Sequence, residues 1–229
     1  MKQYFLGIEF GSTRIKAVLL DEKHAIVKSG DYTWKSSLEN GVWTYHMEDV
    51  QEGLRTAIRN LGKLPGKISA MGVSGMMHGY LAFDKDWNLL APFRTWQNTM
   101  TGEAADKLTE AFGFNIPQRW SAAHLYQAVL NGEPHVKNIA HVTTLAGYVH
   151  SLLTGENVLG VGEASGMFPI DSETLTYDAA MLDKFDALMA KYGFDWNIRA
   201  VLPEVRTAGQ SAGLLTPSGS EYLGGLLPA

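Results

Sequence analysis

Glu9, Gly11, Ser12, Thr13 and Lys16 fall within one short stretch, between two apolar runs, Tyr4 to Ile8 and Ile15 to Leu20. Small residues in a turn can converge backbone amides and hydroxyls on an anion. A carboxylate beside them suits a divalent cation that keeps waters and phosphate oxygens as its other ligands, and the lysine adds positive charge. The set fits a metal-bound polyphosphate. The flanking runs read as strands joined by a tight turn, the first apolar on both faces apart from Gly7, as in a strand buried on both sides.

Further along, Lys67 to Ser74 alternates into a strand taken to be buried, and its end delivers Gly75-Met76-Met77-His78-Gly79. Open α/β sheets bind ligands at such strand ends, and a histidine there can hydrogen-bond a hydroxyl. Arg94-Thr95-Trp96-Gln97-Asn98 offers a cation, a flat apolar ring and an amide. Competing motifs fail on spacing. Gly160 to Gly166 is one residue too long for a dinucleotide fingerprint, and Gly62 to Lys67 is one short of a P-loop. Gly72-Val73-Ser74-Gly75-Met76 ends in Met where a nucleophile elbow needs Gly, and the seven histidines show no zinc-binding spacing.

Acidic-x-Gly-Ser/Thr-Ser/Thr-x-x-Lys between two strands, here Glu9 to Lys16, resembles the first phosphate motif of the sugar kinase, Hsp70 and actin superfamily. Ser74 to Gly79 and Arg94 to Asn98 resemble the sugar-site segments of its FGGY carbohydrate kinase branch. The resemblance extends through Glu163-Ala164-Ser165-Gly166 and fades after Pro169. It implies ATP and Mg2+ as cofactors, with Glu9 toward the metal and Gly11, Ser12, Thr13 and Lys16 toward the phosphates. It implies sugar contacts from Met77, His78, Trp96 and Asn98, with Arg94 and Glu163 as further candidates. The chain departs from the family where Glu9 stands for the usual Asp, and where Asn98 and Met100 replace an acid and an arginine after Trp96. Losing that acid and cation leads to the expectation of a neutral polyol or ketose rather than an acidic sugar.

The elements that must position these residues follow from periodicity. Ala25 to Tyr32 reads as a third antiparallel strand and Asp49 to Leu61 as a helix presenting Val50, Leu54, Ala57, Ile58 and Leu61. Three strands, a helix and a strand open an RNase H-like fold. Tyr80 to Phe83 and Leu89 to Trp96 flank a polar turn and read as a hairpin. Helices are expected at Gly102 to Phe112, at Ala122 to Leu130 with Ser121 as cap, and at Leu145 to Leu153 with Thr144 as cap. Another amphipathic stripe runs from Met181 to Tyr192, and a short strand near Ala212 to Leu215 precedes a helical turn after Pro217. The fold class expected is α/β: an RNase H-like, actin-like ATPase domain, with a mixed five-stranded sheet, flanking helices, and a hairpin and helical insertion. Residues 1–79 and about 136–229 form the core, and about 80–135 the insertion.

At 229 residues, 45% hydrophobic and 19% charged, the chain resembles an ordinary globular protein. A net charge of -5 without basic clusters argues against nucleic acid, and the lack of cysteine removes thiol chemistry and disulfides. No apolar run suits a membrane span or leader, so a cytoplasmic protein with small-molecule partners is expected, a homodimer being left open. The family pairs two such domains across a cleft, so the expectation is an N-terminal half. Its partner domain lies outside this chain and supplies the catalytic base, and the isolated half is inactive. Two rivals keep less chemistry: an ATP-driven actuator without sugar phosphorylation, and a binding domain with a decayed site.

Overall fold

The computed structural model describes residues 2–228. Strand β1 (Gln3–Phe10) pairs antiparallel with β2 (Arg14–Leu20), which pairs antiparallel with β3 (Ile26–Thr33). A short hairpin, β4 (Ser37–Glu39) and β5 (Val42–Thr44), precedes helix α1 (Met47–Arg59). Strand β6 (Lys67–Gly75) returns parallel to β1, giving a sheet in the order β3-β2-β1-β6. It is mixed, as expected, but has four strands rather than five. Ala212 to Leu215 carries no strand, and the later strands pair elsewhere.

Burial along β1 alternates: Tyr4, Leu6, Ile8 and Phe10 are buried, whereas Gly7 and Glu9 are exposed. One face of the sheet is therefore closed and the other open, correcting the expectation of a strand buried on both sides. Strand β6, at the sheet edge, has no fully buried residue, although Ile68, Met71 and Val73 pack partly against the sheet core. The closed face packs on α1 through Val50, Leu54, Ala57 and Ile58, each such aliphatic side chain contributing roughly 1.5–3 kcal/mol by burial. The fit is close enough that a Cβ on Gly30 of β3 would stand 2.2 Å from the Ala57 carbonyl oxygen.

Next come β7 (Leu81–Phe83), α2 (Gly102–Phe112), α3 (Ser121–Leu130), β8 (His141–Thr143) and α4 (Leu145–Thr154). Then follow β9 (Val158–Gly160), α5 (Val161–Ala164), α6 (Ala179–Met189), α7 (Ile198–Val201), β10 (Glu204–Arg206) and α8 (Pro217–Tyr222). The hairpin expected from Tyr80 to Trp96 is reduced to the bridges Tyr80–Arg94 and Phe83–Leu89, while β7 takes β8 as its ladder partner. Two cores share β7 as a wall. Leu81 and Phe83 face the sheet core, and Tyr80 and Ala82 face a helical core built on α2, α3 and α6, as the period-two alternation of a strand requires. That helical core draws on residues from both sides of the expected boundary at 135. Thr144 caps α4 by accepting from the Gly147 amide, whereas Ser121 opens α3 without capping it and donates to the Gly79 carbonyl at 2.6 Å. Among the described residues no helix is long and apolar enough to cross a membrane.

Candidate active site

Parallel pairing of β1 with β6 places Phe10 opposite Gly75, and the Met76 amide donates to the Phe10 carbonyl at 3.0 Å. The Gly11 to Thr13 turn and the Met76 to Gly79 loop therefore leave the sheet side by side, at the carboxyl ends of adjacent parallel strands. This is where such sheets gather ligands.

The turn is held from behind by aromatic residues. Trp34 Nε1 donates to the Gly11 carbonyl at 2.7 Å, Tyr45 Oη to that of Ser12 at 2.7 Å, and the Trp34 amide to that of Thr13 at 3.2 Å. The two rings pack at 4.2 Å. With all three carbonyls drawn to one side, the Ser12 and Thr13 amides take no acceptor among the described residues and stay available to an anion. The Gly11 amide does not, because it donates to the Arg14 carbonyl at 2.9 Å, which corrects the expectation that it faces an anion. Glu9 and Lys16 are cross-strand partners and form an exposed ion pair of 3.1 Å. Glu9 keeps Oε1 free of this contact, so one carboxylate oxygen remains for a cation.

His78 and Gly79 both have positive φ, 71° and 93°. Gly79 is the only residue type that fits, since a Cβ there would come within 2.6 Å of the Arg94 carbonyl oxygen. Its amide donates to the Arg119 carbonyl at 3.0 Å. His78 Nδ1 lies 3.1 Å from the Gly166 carbonyl, which can only accept, so Nδ1 carries the proton and Nε2 presents a lone pair. Burial, assisted by the nearby Arg119 charge, lowers the His78 pKa and favours this neutral form. Gly166 sits against both Met77 and His78, where a Cβ would meet His78 Nδ1 at 2.7 Å and Met77 Cε at 3.0 Å. Tertiary packing thus brings the Glu163 to Gly166 loop to the histidine. Glu163 itself, on α5, is largely buried with Oε1 unpaired, and burial raises its pKa to about 7 against the pull of Thr144.

The segment after Arg94 divides. Trp96 is 45% exposed. Asn98 is buried, with Oδ1 accepting from the Trp43 amide and Nδ2 donating to the Trp43 and Thr95 carbonyls. Its hydrogen bonds fasten the Trp96 turn to β5, which corrects the reading of Asn98 as a sugar contact. Arg94 is corrected likewise. It is 7% exposed, pairs with Glu133 and lies 5.4 Å from the Tyr80 ring centroid. The antiparallel bridge between Tyr80 and Arg94, with backbone bonds of 2.8 and 3.1 Å, sets His78 and Trp96 two residues beyond the same fastening point. Sequence reasoning passed over Trp34, Tyr45 and Arg119, and reached Gly166 only as the end of the Glu163 loop. Of the first three, only the aromatic pair left a sequence signal, as large rings in the polar stretch after β3.

Glu163 gives a test of the burial argument. A carboxyl whose folded pKa is raised contributes stability below its unfolded value, near 4.5, that is lost as pH rises toward about 7. Glu163→Gln should therefore match the parent chain at pH 4 and exceed it at pH 8 by on the order of 2–3 kcal/mol. Urea midpoints across this range measure the difference, and parallel curves for the two proteins would show an ordinary, solvated carboxylate.

The comparisons agree with this geometry. "FGGY family of carbohydrate kinases, N-terminal domain" describes a family whose pattern matches residues 4–227. The glycerol kinase of Thermococcus gammatolerans is 25% identical over a gapped alignment of 245 residues, taking in 100% of this chain and 47% of that protein. Gluconate kinase from Lactobacillus acidophilus superposes with a TM-score of 0.82 at 20% identity, over 98% of this chain and 46% of that one. Plasmodium falciparum glycerol kinase with ADP superposes at 0.75 and 18% identity, over 96% and 46%. The chain thus spans about half the length of the curated relatives it matches. With the family pattern covering nearly all of it, the chain belongs to the FGGY family of carbohydrate kinases, as an N-terminal domain of that family.

Proposed function

We propose that this chain is the first domain of a two-domain, ATP-dependent kinase that transfers the γ-phosphoryl group to a hydroxyl of a sugar or polyol. The observation that carries the reading is the adjacency of the Gly11 to Thr13 turn and the His78 loop at the paired ends of β1 and β6. It sets an anion site beside a hydroxyl-binding site on one surface. The Ser12 and Thr13 amides, with Lys16, would hold phosphate oxygens. Among the described residues no cluster of three or more His, Asp or Glu could cage a metal. A magnesium ion would therefore rest on Glu9, phosphate oxygens and water, as that ion commonly does, and when bound it supplies charge neutralisation at the transferring phosphoryl group.

His78 Nε2 would accept from a sugar hydroxyl and Trp96 would cover its apolar face, with Met77 beside the histidine and Glu163 a further contact from the loop that ends at Gly166. The cytosol, where ATP is abundant, is the setting we infer. Catalysis here would be positioning and charge stabilisation, with His78 orienting the hydroxyl and the base that takes its proton supplied by a facing domain.

The test is coupled ADP release with ATP, magnesium and a panel of sugars, run on the intact protein and on the 229-residue chain. Sugar-stimulated turnover is expected from the intact protein alone. Turnover by the isolated chain would refute the need for a facing domain. The engagement of Asn98 with backbone favours one rival, an actuator that hydrolyses ATP without sugar. ADP release from the intact protein that no sugar stimulates would establish it.

A further inference from the structure

The surface around His78 holds a cation that no sequence motif marks. Arg119 lies on the segment between α2 and α3, forty-one residues after His78, and its carbonyl accepts the Gly79 amide at 3.0 Å. Ser121, two residues on, donates to the Gly79 carbonyl at 2.6 Å. These two bonds tie the Arg119 backbone to the loop that carries His78. Its side chain is exposed and takes part in no ion pair among the described residues. Burial is the main cause that lowers the His78 pKa, and the Arg119 charge adds to it. Arg94, by contrast, is spent on Glu133 inside the fold.

We infer that Arg119 is a specificity-determining residue that fits the sugar surface to an anionic polyol, an aldonic or uronic acid, whose carboxylate it binds while His78 and Trp96 take the hydroxylated chain. The inference rests on the sugar-site reading above and reverses the expectation of a neutral substrate. That expectation followed from the loss of a cation at Met100, and folding supplies one from elsewhere.

The chemistry favours a carboxylate on three counts. A guanidinium offers a planar fork of donors that a carboxylate matches with two parallel bonds, whereas a neutral hydroxyl uses one. Among the described residues Arg119 has no anion to give up on binding, so no existing pair there must be broken. The loop that meets His78 through Gly166 also carries Glu163, three residues earlier, and burial keeps that carboxyl substantially protonated up to about pH 7. An incoming carboxylate thus meets one unpaired positive charge and a muted negative one.

Matched ligand pairs separate charge from shape. D-gluconate and D-xylonate are titrated at pH 6.5 into the 229-residue chain, and into the intact protein with a non-hydrolysable ATP analogue. Glucitol and xylitol are titrated in parallel, and tryptophan fluorescence reports binding. The acid is expected to bind at least about tenfold tighter than its polyol, the scale of one charge-assisted pair. Arg119→Met should collapse that ratio toward one, and Arg119→Lys should restore part of it, since a lysine keeps the charge without the fork. A purely structural role would shift both ligands together and leave the ratio alone, and thermal unfolding of each variant checks the fold. A ratio near one in the parent protein, or one that survives Arg119→Met, overturns the inference and leaves the sugar site standing. Sulfate or acetate competing as well as gluconate would also overturn it, by showing an anion site that ignores the polyol. No response to any acid or polyol takes down the sugar-site reading together with this one.

Discussion

Removing the Glu133 carboxylate is expected to destabilise the chain by about 3 kcal/mol or more, the cost of leaving a buried charge unpaired. Arg94 is almost wholly enclosed, its Nε and Nη1 lack partners, and among the described residues Glu133 is the carboxylate it pairs with. Burial alone would raise the Glu133 pKa, yet the hydrogen bond and charge of Arg94 outweigh it and hold the group below its ordinary value. The stability it confers is therefore present above pH 4.5 and lost as pH falls below it. The surroundings are polar but tightly packed. Tyr80 Oη meets His135 Nε2 at 2.8 Å, and burial lowers the pKa of fully enclosed His124 to about 3, with Arg94 adding to it. Glu133→Ala should therefore lower the urea midpoint sharply, and the double variant Arg94→Leu, Glu133→Leu should recover much of the loss by replacing the pair with apolar volume. A single substitution costing under about 1 kcal/mol would mean that the pair behaves as a surface ion pair. The consequence for function is indirect. The pair lies beneath the Tyr80–Arg94 bridge that spaces His78 from Trp96, so its loss should weaken sugar binding before ATP binding.

In the intact protein, Glu9→Ala is expected to lower ATP turnover on the order of a hundredfold or more, since charge stabilisation through a metal is commonly worth several kcal/mol of barrier. Stability should change little. The Glu9–Lys16 pair is about half exposed on both sides, and pairs of that kind contribute roughly 0–1 kcal/mol. Turnover as a function of magnesium, alongside urea unfolding, separates the two roles. If neither turnover nor its magnesium dependence moves, Glu9 serves only to hold Lys16. Lys16→Met is the companion variant. It removes the cross-strand partner without touching the carboxylate, so a loss of ATP affinity with unchanged magnesium dependence would assign Lys16 to the phosphates.

Much of the architecture was legible in the residues themselves because its causes are local. The Gly11 to Thr13 turn between apolar runs, the 3.6-residue stripe of α1 and the caps at Thr144 and Gly155 are decided by neighbours within a few positions. The sheet edge was not legible. An apolar run such as Ile68 to Val73 has the same pattern whether one, two or no faces are covered, and its exposure in β6 depends on what the rest of the chain brings to it.

The same division runs through the site. Glu9, Ser12, Thr13, His78 and Trp96 could be picked out by type and spacing, since each sits at a strand end or turn that its own sequence dictates. What each side chain is free to do was decided only by tertiary contacts. Asn98 and Arg94 look like ligand residues until their partners, Trp43 and Glu133, are seen to consume them. Arg119 looks like any solvated arginine until a hydrogen bond across forty residues sets its backbone against the His78 loop. A side chain's chemistry is written in its type, but its availability depends on burial and on distant partners, and these exist only once the chain has closed on itself.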